Sequence, residues 1–377
     1  MKWLIKYGVV IVLLNTLLLA IPSTRFIGNQ IFLTLMAVYS VFILTNPRHI
    51  KTVVLHKAFV VFLILNIVNV FYFSLFHSFD DVSALKYLLA RGVQFLIISV
   101  AIIYNYDYFK KYFLMHVSYV IIGVVILGLI IDPFIFAGRY RGIIWNPNMF
   151  SSFTSMAFAV LFLREEKKSK IMIFFLWLLF IVSLASGSRD VLVAFLLLFG
   201  FKYGISRRNF LYAFLGLGIY FVIINFQLDT SINRFSSQDL FNDRLLQYQY
   251  AYETLLQKPL VGFGLDKYAY INLDLVPDYL RVRVISAHNG YLAILTQYGL
   301  IFGILIICVI LHKVISLFLS IDKKDAELLS YLYIACYVPI AAIYETFLTG
   351  INEFHTILFW FSLAFLSFSV FRRKHAS

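Results

Sequence analysis

The stretch YFLMHVSYVIIGVVILGLII, residues 112–131, contains no Asp, Glu, Lys or Arg. An α-helix needs about 20 predominantly apolar residues to cross the hydrocarbon core of a bilayer, so this stretch predicts a transmembrane helix. Similar apolar runs lie on both sides of it. All the predicted spans are 3–21, 27–45, 55–76, 86–104, 112–131, 149–163, 170–186, 190–203, 210–227, 288–311, 327–346 and 354–371.

The composition of the 377 residues agrees with this interpretation. Hydrophobic residues make up 62% of the chain and charged residues 14%, with a mean hydropathy of +0.87. A water-soluble globule could not bury so much apolar surface. The 40 Phe and 25 Tyr exclude a disordered chain, and two Cys exclude a disulfide scaffold. We predict an all-α polytopic membrane protein with about 12 transmembrane helices.

The basic residues indicate how the chain is oriented. With the N-terminus in the cytoplasm, 20 of the 32 Lys and Arg residues fall on the cytoplasmic side and ten on the external side. Short cytoplasmic loops are rich in Lys and Arg, so both termini are expected to be cytoplasmic. The net charge of +13 then reflects orientation and contact with anionic lipid, and nucleic acid is not expected as a partner. Lys86 and Arg91 are exceptions, because they lie inside the fourth run.

One membrane domain, residues 1–377, is expected, with a large external loop at residues 228–287 between the ninth and tenth runs. Within this loop, residues 238–257 predict a helix that Pro259 ends. Arg244 lies off the apolar stripe of this helix. It can face solvent at the membrane surface or point down into a cleft, and Arg244 taken alone favours solvent. The stripe predicted to be buried contains Phe241, Leu245, Tyr248, Tyr252 and Leu255.

Four basic groups on the external side predict a site for an anionic substrate. Arg141 lies in a polar, aromatic loop, Arg189 at the head of the eighth run, and Arg244 in the large loop. Arginine binds phosphate oxygens through paired hydrogen bonds, although arginines at such edges also snorkel to lipid headgroups. His288 lies at the start of the tenth run, which Ser286 is expected to cap, and a neutral imidazole there is a competent general base. Together these groups suit a diphosphate-bearing substrate at the outer leaflet.

Other polar residues of the external side are secondary candidates. Asn148 is expected to cap the helix after its loop, Asn289 follows His288, and Glu345 lies at the last external turn. Gly262-Phe263-Gly264 permits a tight backbone path, but a phosphate cradle needs a strand–turn–helix context. No His or carboxylate cluster has the spacing of metal ligands, so neither a metal nor another cofactor is expected.

Four short signatures occur in order between residues 139 and 303. They are Arg141-Gly142 with Asn146-Pro147-Asn148, Ser186-Gly187-Ser188-Arg189, Lys258-Pro259-Leu260-Val261-Gly262-Phe263-Gly264, and His288-Asn289-Gly290-Tyr291-Leu292 followed by Gly299. With the large external loop, these signatures resemble the family of O-antigen ligases and Wzy-type polysaccharide polymerases, which are bacterial envelope glycosyltransferases. The first 130 residues match this family only as a stack of apolar runs.

The resemblance implies a GT-C-like membrane enzyme that uses no metal. Its substrate would be an oligosaccharide on undecaprenyl pyrophosphate, with Arg189 and Arg244 on the pyrophosphate and His288 as the base. The site would lie on the external or periplasmic face of a bacterial plasma or inner membrane. Besides the lipid bilayer, a chain-length regulator protein is a candidate partner.

The expected activity is polymerisation of lipid-linked repeat units into capsule, O-antigen or exopolysaccharide. The alternative is O-antigen ligation, in which the finished glycan is transferred to its surface anchor. The ligase pattern has Gly, Thr or Tyr where this chain has Phe302, and that difference favours the polymerase. A lipid-linked oligosaccharide flippase is a second alternative. It ranks lower because a transporter hides ionisable residues at mid-membrane, whereas most polar residues here gather at one face.

Overall fold

The computed structural model describes residues 2–164, 168–188, 190–204, 206, 208–209, 211–212, 215, 239–284 and 286–376. Within these ranges the chain is helical and contains no strand. The α-helices of the described residues are α1 (Lys2–Ala20), α2 (Arg25–Thr45), α3 (Pro47–Val54), α4 (Val60–Phe76), α5 (Val82–Tyr108), α6 (Leu114–Ile131), α7 (Pro147–Arg164), α8 (Lys170–Ala185), α9 (Asp190–Tyr203), α10 (Asp239–Gln257), α11 (Gly290–Ser320), α12 (Ala326–Ala341) and α13 (Phe354–Ala376).

Eleven of the twelve predicted apolar runs coincide with helices, and the ninth, 210–227, lies largely outside the described residues. The prediction of an all-helical, multi-pass membrane protein is confirmed for the described part of the chain. Because α8 and α12 are apolar but shorter than 18 residues, the total of 12 spans stays a prediction. Five segments of the described chain are long and apolar enough to cross a membrane: Pro22–Phe42, Lys57–Phe76, Val82–Ile131, Gly290–Ser320 and Phe354–His375.

Aromatic side chains pack α13 against the rest of the bundle. Phe361 is fully buried, and its ring lies 4.9 Å from that of Phe109 and 4.8 Å from that of Phe113. Lipid tails are as apolar as these side chains, so membrane helices associate through close van der Waals packing rather than through exclusion of water. Such packing fixes α13, and with it the residues that immediately precede the helix.

Several loops meet at one end of the bundle, which we call the site end. Tyr140 N–H donates to the Ala185 carbonyl at 3.0 Å, so the α6–α7 loop lies beside the end of α8. Gly290 N–H donates to the Ala342 carbonyl at 2.7 Å, so the start of α11 lies beside the end of α12. Segment 342–353, which joins α12 to α13, therefore lies among residues from distant parts of the sequence.

Ion pairs connect the helices at the opposite end of the bundle. Lys110 Nζ lies 3.0 Å from an Asp325 carboxylate oxygen, and Arg164 Nη2 lies 3.3 Å from Glu327. Lys110 and Arg164 belong to the basic residues predicted to be cytoplasmic. The bundle thus places those two residues and the site end at opposite ends of its helices, as the orientation prediction requires.

Segment 258–265 of the large loop is held against α11 by its backbone. α11 is interrupted at Gly299, whose φ of 69° lies in the left-handed region that favours glycine. The next residue, Leu300, then donates its N–H to the Pro259 carbonyl at 2.7 Å. The break in α11 therefore frees a backbone donor that the loop uses.

Two glycines make this close approach possible, and we call the arrangement the glycine lock. A Cβ on Gly262, whose φ is 72°, would lie 2.4 Å from the backbone nitrogen of Gly299. A Cβ on Gly299 would lie 2.3 Å from the Leu260 carbonyl oxygen. Gly264 N–H donates to the Gln297 carbonyl at 3.0 Å, so this donor is already engaged by the backbone of α11. The lock joins the large loop to the bundle, and this accounts for its glycines without a phosphate.

Candidate active site

The site end contains one carboxylate that is reached from three other parts of the chain. Glu345 follows α12 in segment 342–353 and is 9% exposed. Arg244 Nη2 lies 2.8 Å from its Oε1, and Asn148 Nδ2 lies 3.0 Å from the same oxygen. His288 Nδ1 lies 3.3 Å from Oε2. We call these four residues the Glu345 cluster.

The helix of the large loop, α10, brings Arg244 to the Glu345 cluster by lying across segment 342–353. Arg244 also donates to the Tyr344 carbonyl through Nη1. One turn further along α10, the Tyr248 hydroxyl donates to the Ile343 carbonyl at 2.7 Å. Of the two alternatives for Arg244, the structure shows the inward one, with its guanidinium partly buried against Glu345.

The prediction for the buried stripe of α10 is confirmed at Leu255, which is buried, and wrong at two other positions. Leu245 and Tyr252, which belong to that stripe, are 58% and 54% exposed, whereas Ala251 and Thr254 are fully buried. The helix turns the Arg244 face inward because the surface below it offers carbonyl oxygens and a carboxylate. The buried face of α10 also includes apolar contacts around Ala251, and an apolar period does not locate a face of such mixed composition.

A turn before α11 places His288. Its φ of 40° is uncommon for a residue with a side chain. Asn289 caps α11, because its Oδ1 accepts the N–H groups of Tyr291 at 2.9 Å and Leu292 at 3.0 Å. The prediction that Ser286 caps this helix is therefore wrong, and His288 lies just outside the helix with its ring beside Glu345.

The contact with Glu345 gives the imidazole of His288 a defined orientation. An Nδ1–H that donates to Glu345 leaves the lone pair on Nε2. Nε2 has no hydrogen-bond partner among the described residues, and 30% of the side chain is exposed. A histidine that is oriented by a carboxylate and open at its other nitrogen is the usual arrangement of a general base.

The charges of the cluster stabilise one another. Burial raises the pKa of the Glu345 carboxyl, but the hydrogen bond from His288 and the charge of Arg244 outweigh burial and hold that pKa below its ordinary value. Burial lowers the pKa of Arg244, and the nearby Glu345 more than reverses this. At neutral pH the cluster is therefore an ionised carboxylate paired with a guanidinium.

Asn148 connects the cluster to the loop before α7. Its Oδ1 accepts from Ser188 Oγ at 3.1 Å and from Arg139 Nη2, and Arg139 Nε donates to the Ser186 carbonyl at 3.2 Å. The prediction that Asn148 caps α7 is wrong. Asn146 Oδ1 accepts the Asn148 N–H at 2.8 Å instead, which leaves the Asn148 side chain for the site.

A second buried carboxylate lies beyond Ser188. Asp190, at the start of α9, is 6% exposed and accepts from Ser188, from Ser152 Oγ at 2.8 Å and from Ser151 Oγ at 3.3 Å. It forms no ion pair with a residue of the described ranges. Its hydroxyl partners on α7 hold the start of α9 against that helix.

The predicted site residues fall into three groups. The Glu345 cluster unites His288, Arg244, Asn148 and Glu345. Asn289 lies next to it and donates to the Ile343 carbonyl at 3.1 Å. Arg141 is exposed and donates to the Trp145 carbonyl at 3.0 Å, without a described contact to the cluster. Arg189 lies outside the described residues.

Sequence reasoning missed two residues of this network, Arg139 and Asp190. Each is close to a residue that was chosen, since Arg139 precedes Arg141 by two positions and Asp190 follows Arg189. The sequence feature that could have identified them is the high density of polar residues in two short turns at the site end. Which side chain of a turn points into the site depends on the backbone conformation of that turn. An irregular turn has no repeating sequence pattern that predicts this conformation.

One group of residues has the composition of a metal site. The ligand atoms of His77, Asp81 and Asp266 lie within 4.8 Å of one another. However, His77 Nδ1 lies 2.6 Å from Asp81 Oδ2, and Nε2 accepts the Leu265 N–H at 3.0 Å. Asp81 also caps α5 by accepting the Ala84 N–H at 3.0 Å. These contacts account for the group as an anchor between the large loop and the α4–α5 turn.

The middle of the chain matches a known family. Residues 174–308 match the family model described as O-Antigen ligase. The middle of the chain is therefore similar to O-antigen ligases. The matched segment includes α9, α10 and the glycine lock, and thus Arg244 and His288, whereas Asn148 and Glu345 lie on either side of it. A comparison with curated proteins finds no match.

Proposed function

We propose that this protein is a membrane glycosyltransferase that joins oligosaccharide repeat units carried on undecaprenyl pyrophosphate. The reaction would take place at the outer leaflet of a bacterial plasma or inner membrane and would build capsule, O-antigen or exopolysaccharide. The observation that supports it is the convergence of His288 and Arg244 on Glu345, in a chain whose residues 174–308 are similar to O-antigen ligases. The GT-C-like classification and the cytoplasmic termini belong to the same proposal.

His288 is the base of the proposed reaction. Nε2 takes the proton of the acceptor hydroxyl while that oxygen forms a bond to the anomeric carbon of the donor sugar. The bond between that carbon and the pyrophosphate oxygen breaks, and its electron pair leaves with undecaprenyl pyrophosphate. Glu345 is a positioning residue, since it orients the ring and stabilises the imidazolium that forms.

The arginines offset the negative charge of the leaving group. A guanidinium has five N–H donors, and the described contacts of Arg244 to Glu345 and Tyr344 use two of them. The remaining donors are available to phosphate oxygens at the mouth of the site. Arg189 and Arg141 are proposed as further pyrophosphate ligands, and Asn148 and Asn289 as polar groups that support the site.

The second candidate function is O-antigen ligation. It is favoured by the description of the matched family model, which names the ligase rather than the polymerase. The same base and the same leaving group serve both reactions. The acceptor differs, being a second lipid-linked repeat unit in the polymerase and the surface anchor in the ligase.

Deletion of the gene distinguishes these functions. Lipid-linked and surface polysaccharide from the deletion strain are separated on gels and compared with those of a strain complemented with the wild-type chain. Single repeat units without long chains support the polymerase. Long chains that stay on undecaprenyl pyrophosphate and are missing from the surface anchor mean the ligase. Precursors that stay on the cytoplasmic side overturn the enzyme proposal in favour of a flippase.

A further inference from the structure

Three serine hydroxyls at the site end each lie between the same two residues, Asp190 and Asn148. Ser151 Oγ lies 2.6 Å from the Asn148 carbonyl oxygen and 3.3 Å from Asp190 Oδ1. Ser152 Oγ lies 3.0 Å from that carbonyl oxygen and 2.8 Å from Asp190 Oδ2. Ser188 Oγ contacts Asp190 Oδ1 and lies 3.1 Å from Oδ1 of the Asn148 side chain. We call these three serines the serine bridge, since each hydroxyl shares its one hydrogen between Asp190 and Asn148.

The carboxylate of Asp190 gives the serine bridge its geometry. Serine hydroxyls in helices often bond the carbonyl three or four residues earlier, as Ser151 and Ser152 do, and such bonds need no carboxylate. Here Asp190 draws the same hydroxyls toward the start of α9. Asp190 is 6% exposed and Ser151 and Ser152 are fully buried, so these hydrogen bonds lie in a low dielectric, where they are strong and directional.

The side chain of Asn148 carries this geometry to the Glu345 cluster. Its Oδ1 accepts from Arg139 Nη2 and from Ser188, and its Nδ2 donates to Glu345 Oε1 at 3.0 Å. A reversed amide would place Oδ1 against the carboxylate of Glu345 and Nδ2 against the guanidinium of Arg139, and both contacts would be repulsive. The donors on Oδ1 therefore decide that an N–H, and not an oxygen, faces Glu345.

Glu345 continues the connection to the proposed base. Its Oε1 accepts from Asn148 and from Arg244, and its Oε2 lies 3.3 Å from Nδ1 of His288. A continuous path of hydrogen bonds thus leads from Asp190 through the serine bridge to the imidazole. A tie that only packed α9 against α7 would end at Ser151 and Ser152, whereas this path continues into the site.

We propose that Asp190 is a positioning residue for His288, the base of the proposed reaction. Asp190 acts through the serine bridge on Asn148, and Asn148 acts on Glu345. With its carboxylate so fixed, Glu345 keeps the imidazole proton on Nδ1, and Nε2 can accept the proton of the acceptor hydroxyl. The inference rests on the proposed function, because it assigns Asp190 a part in the same reaction without contact to the reacting atoms.

The first measurement separates kcat from KM. The full chain in proteoliposomes is supplied with lipid-linked repeat units extracted from the deletion strain, and chain extension is timed. Asp190→Asn and Ser188→Ala are each expected to lower kcat by about 10- to 100-fold at unchanged KM, the usual effect of a slightly misplaced catalytic group. The control is Asp274→Asn, which makes the same change at an exposed carboxylate of the large loop and keeps the wild-type kcat. A raised KM at unchanged kcat would show that Asp190 acts on its neighbour Arg189, and would overturn the proposal.

A double variant tests whether the effect passes through Asn148. Asp190→Asn is expected to lower kcat no further in an Asn148→Ala background, because the path is already interrupted there. If the two effects multiply, Asp190 acts by another route and the proposal is wrong.

The second measurement does not depend on activity. Nitrogen NMR of histidine-labelled protein at about pH 8, above the ordinary imidazole pKa, reports which ring nitrogen carries the proton, and the signals missing from His288→Ala identify that residue. The wild type and Asp274→Asn are expected to show the Nδ1–H tautomer of His288, and Asp190→Asn a mixture of both tautomers. A wild-type spectrum from Asp190→Asn overturns the proposal. If the wild type extends no chains, the proposed function fails, and the tautomers alone then decide whether Asp190 positions His288.

Discussion

The proposed chemistry depends on a single nitrogen, Nε2 of His288. Glu345 occupies the other nitrogen of the ring and so selects the tautomer that can accept a proton. The conformation of His288, with a φ of 40°, is unfavourable for a side chain and is kept only because the surrounding contacts determine it. Strain at the residue that is proposed to react is consistent with a turn selected for function.

The first prediction concerns His288 itself. His288→Ala is expected to reduce chain extension by about 10²- to 10⁴-fold, the usual contribution of a general base. The matched control is His312→Ala, which makes the same change at an exposed position of α11. Both variants are compared with the wild type by quantifying polysaccharide length and inserted protein. Wild-type chain length from His288→Ala, at equal protein levels, contradicts the assignment of the base.

The second prediction uses two carboxylates of segment 342–353 whose pKa values shift in opposite directions. Burial raises the pKa of Glu353 to about 7, although hydrogen bonds from Tyr268 and Thr356 lower it. A glutamate with a raised pKa stabilises the fold at low pH, and that contribution is lost as pH rises through about 7. The pKa of Glu345 is held below its ordinary value, so its contribution is present above that value and lost in acid.

Melting temperatures of wild type, Glu345→Gln and Glu353→Gln, measured from about pH 2 to about pH 8, test this pair, since the Glu345 contribution changes below its ordinary pKa and the Glu353 contribution changes above it. Relative to wild type, Glu345→Gln should lose stability as pH rises, and Glu353→Gln should gain it. Each change should amount to a few degrees, as expected for about 1 kcal/mol in a chain of this size. Parallel curves for all three proteins would show that neither carboxylate has the environment described.

The Glu345 cluster shows which part of a site a sequence can reveal. Its donors lie 57, 101 and 197 positions from Glu345 along the chain. Residue type and external location were enough to select His288 and Arg244. Their shared carboxylate could not be deduced as the centre of the cluster, because it follows from helix packing and not from a local pattern.

At the scale of elements, the glycine lock explains how a segment of the large loop is held against the bundle. Segment 258–265, which follows α10, lies against the break in α11 at Gly299. Tyr72 strengthens the same junction from α4, because its hydroxyl donates to the Val261 and Gln297 carbonyls. α10 is therefore positioned from its C-terminal side. The backbone contacts of the glycine lock leave no room for a side chain at Gly262 or Gly299.

The third prediction follows from that junction. Gly262→Ala and Gly299→Ala each place a Cβ within 2.5 Å of backbone atoms at a positive φ, and each is expected to cost more than about 1 kcal/mol and to reduce chain extension. Gly123→Ala is the matched control, since a Cβ there meets nothing within 4 Å and alanine favours a helix. Thermal unfolding and limited proteolysis of the loop provide the measurements. Lock variants as stable as the control would mean that the loop is held elsewhere.

The helices themselves were predictable, and their ends and faces were less so. A run of apolar residues long enough for a bilayer has few alternatives to a helix, because every backbone polar group must be satisfied internally. Caps depend on which of several polar residues takes the terminal position, and here Asn146 and Asn289 took the positions expected for Asn148 and Ser286. The face of α10 depends on a polar partner surface that becomes known only when the bundle is assembled.

At the scale of the whole molecule, the two ends of the bundle differ in the contacts that connect their helices. The site end is built from loops that converge on segment 342–353, and the other end has half-buried ion pairs such as that of Lys110 with Asp325. An ion pair that stays partly open to water contributes little to stability. The basic residues at that end are therefore better explained as determinants of orientation than of stability, in agreement with the distribution of Lys and Arg along the chain.

The fourth prediction tests that orientation with single cysteines in a Cys308→Ser, Cys336→Ser background. Val282→Cys lies in the large loop at an 83% exposed position, and Lys324→Cys lies exposed between α11 and α12 at the opposite end. A membrane-impermeant maleimide should label Val282→Cys on intact cells and Lys324→Cys only after permeabilisation, provided that both variants retain chain extension. The reverse pattern would place His288 in the cytoplasm. Glycan assembly would then have to precede export, and the external leaving-group chemistry proposed for Arg244 would have to be abandoned.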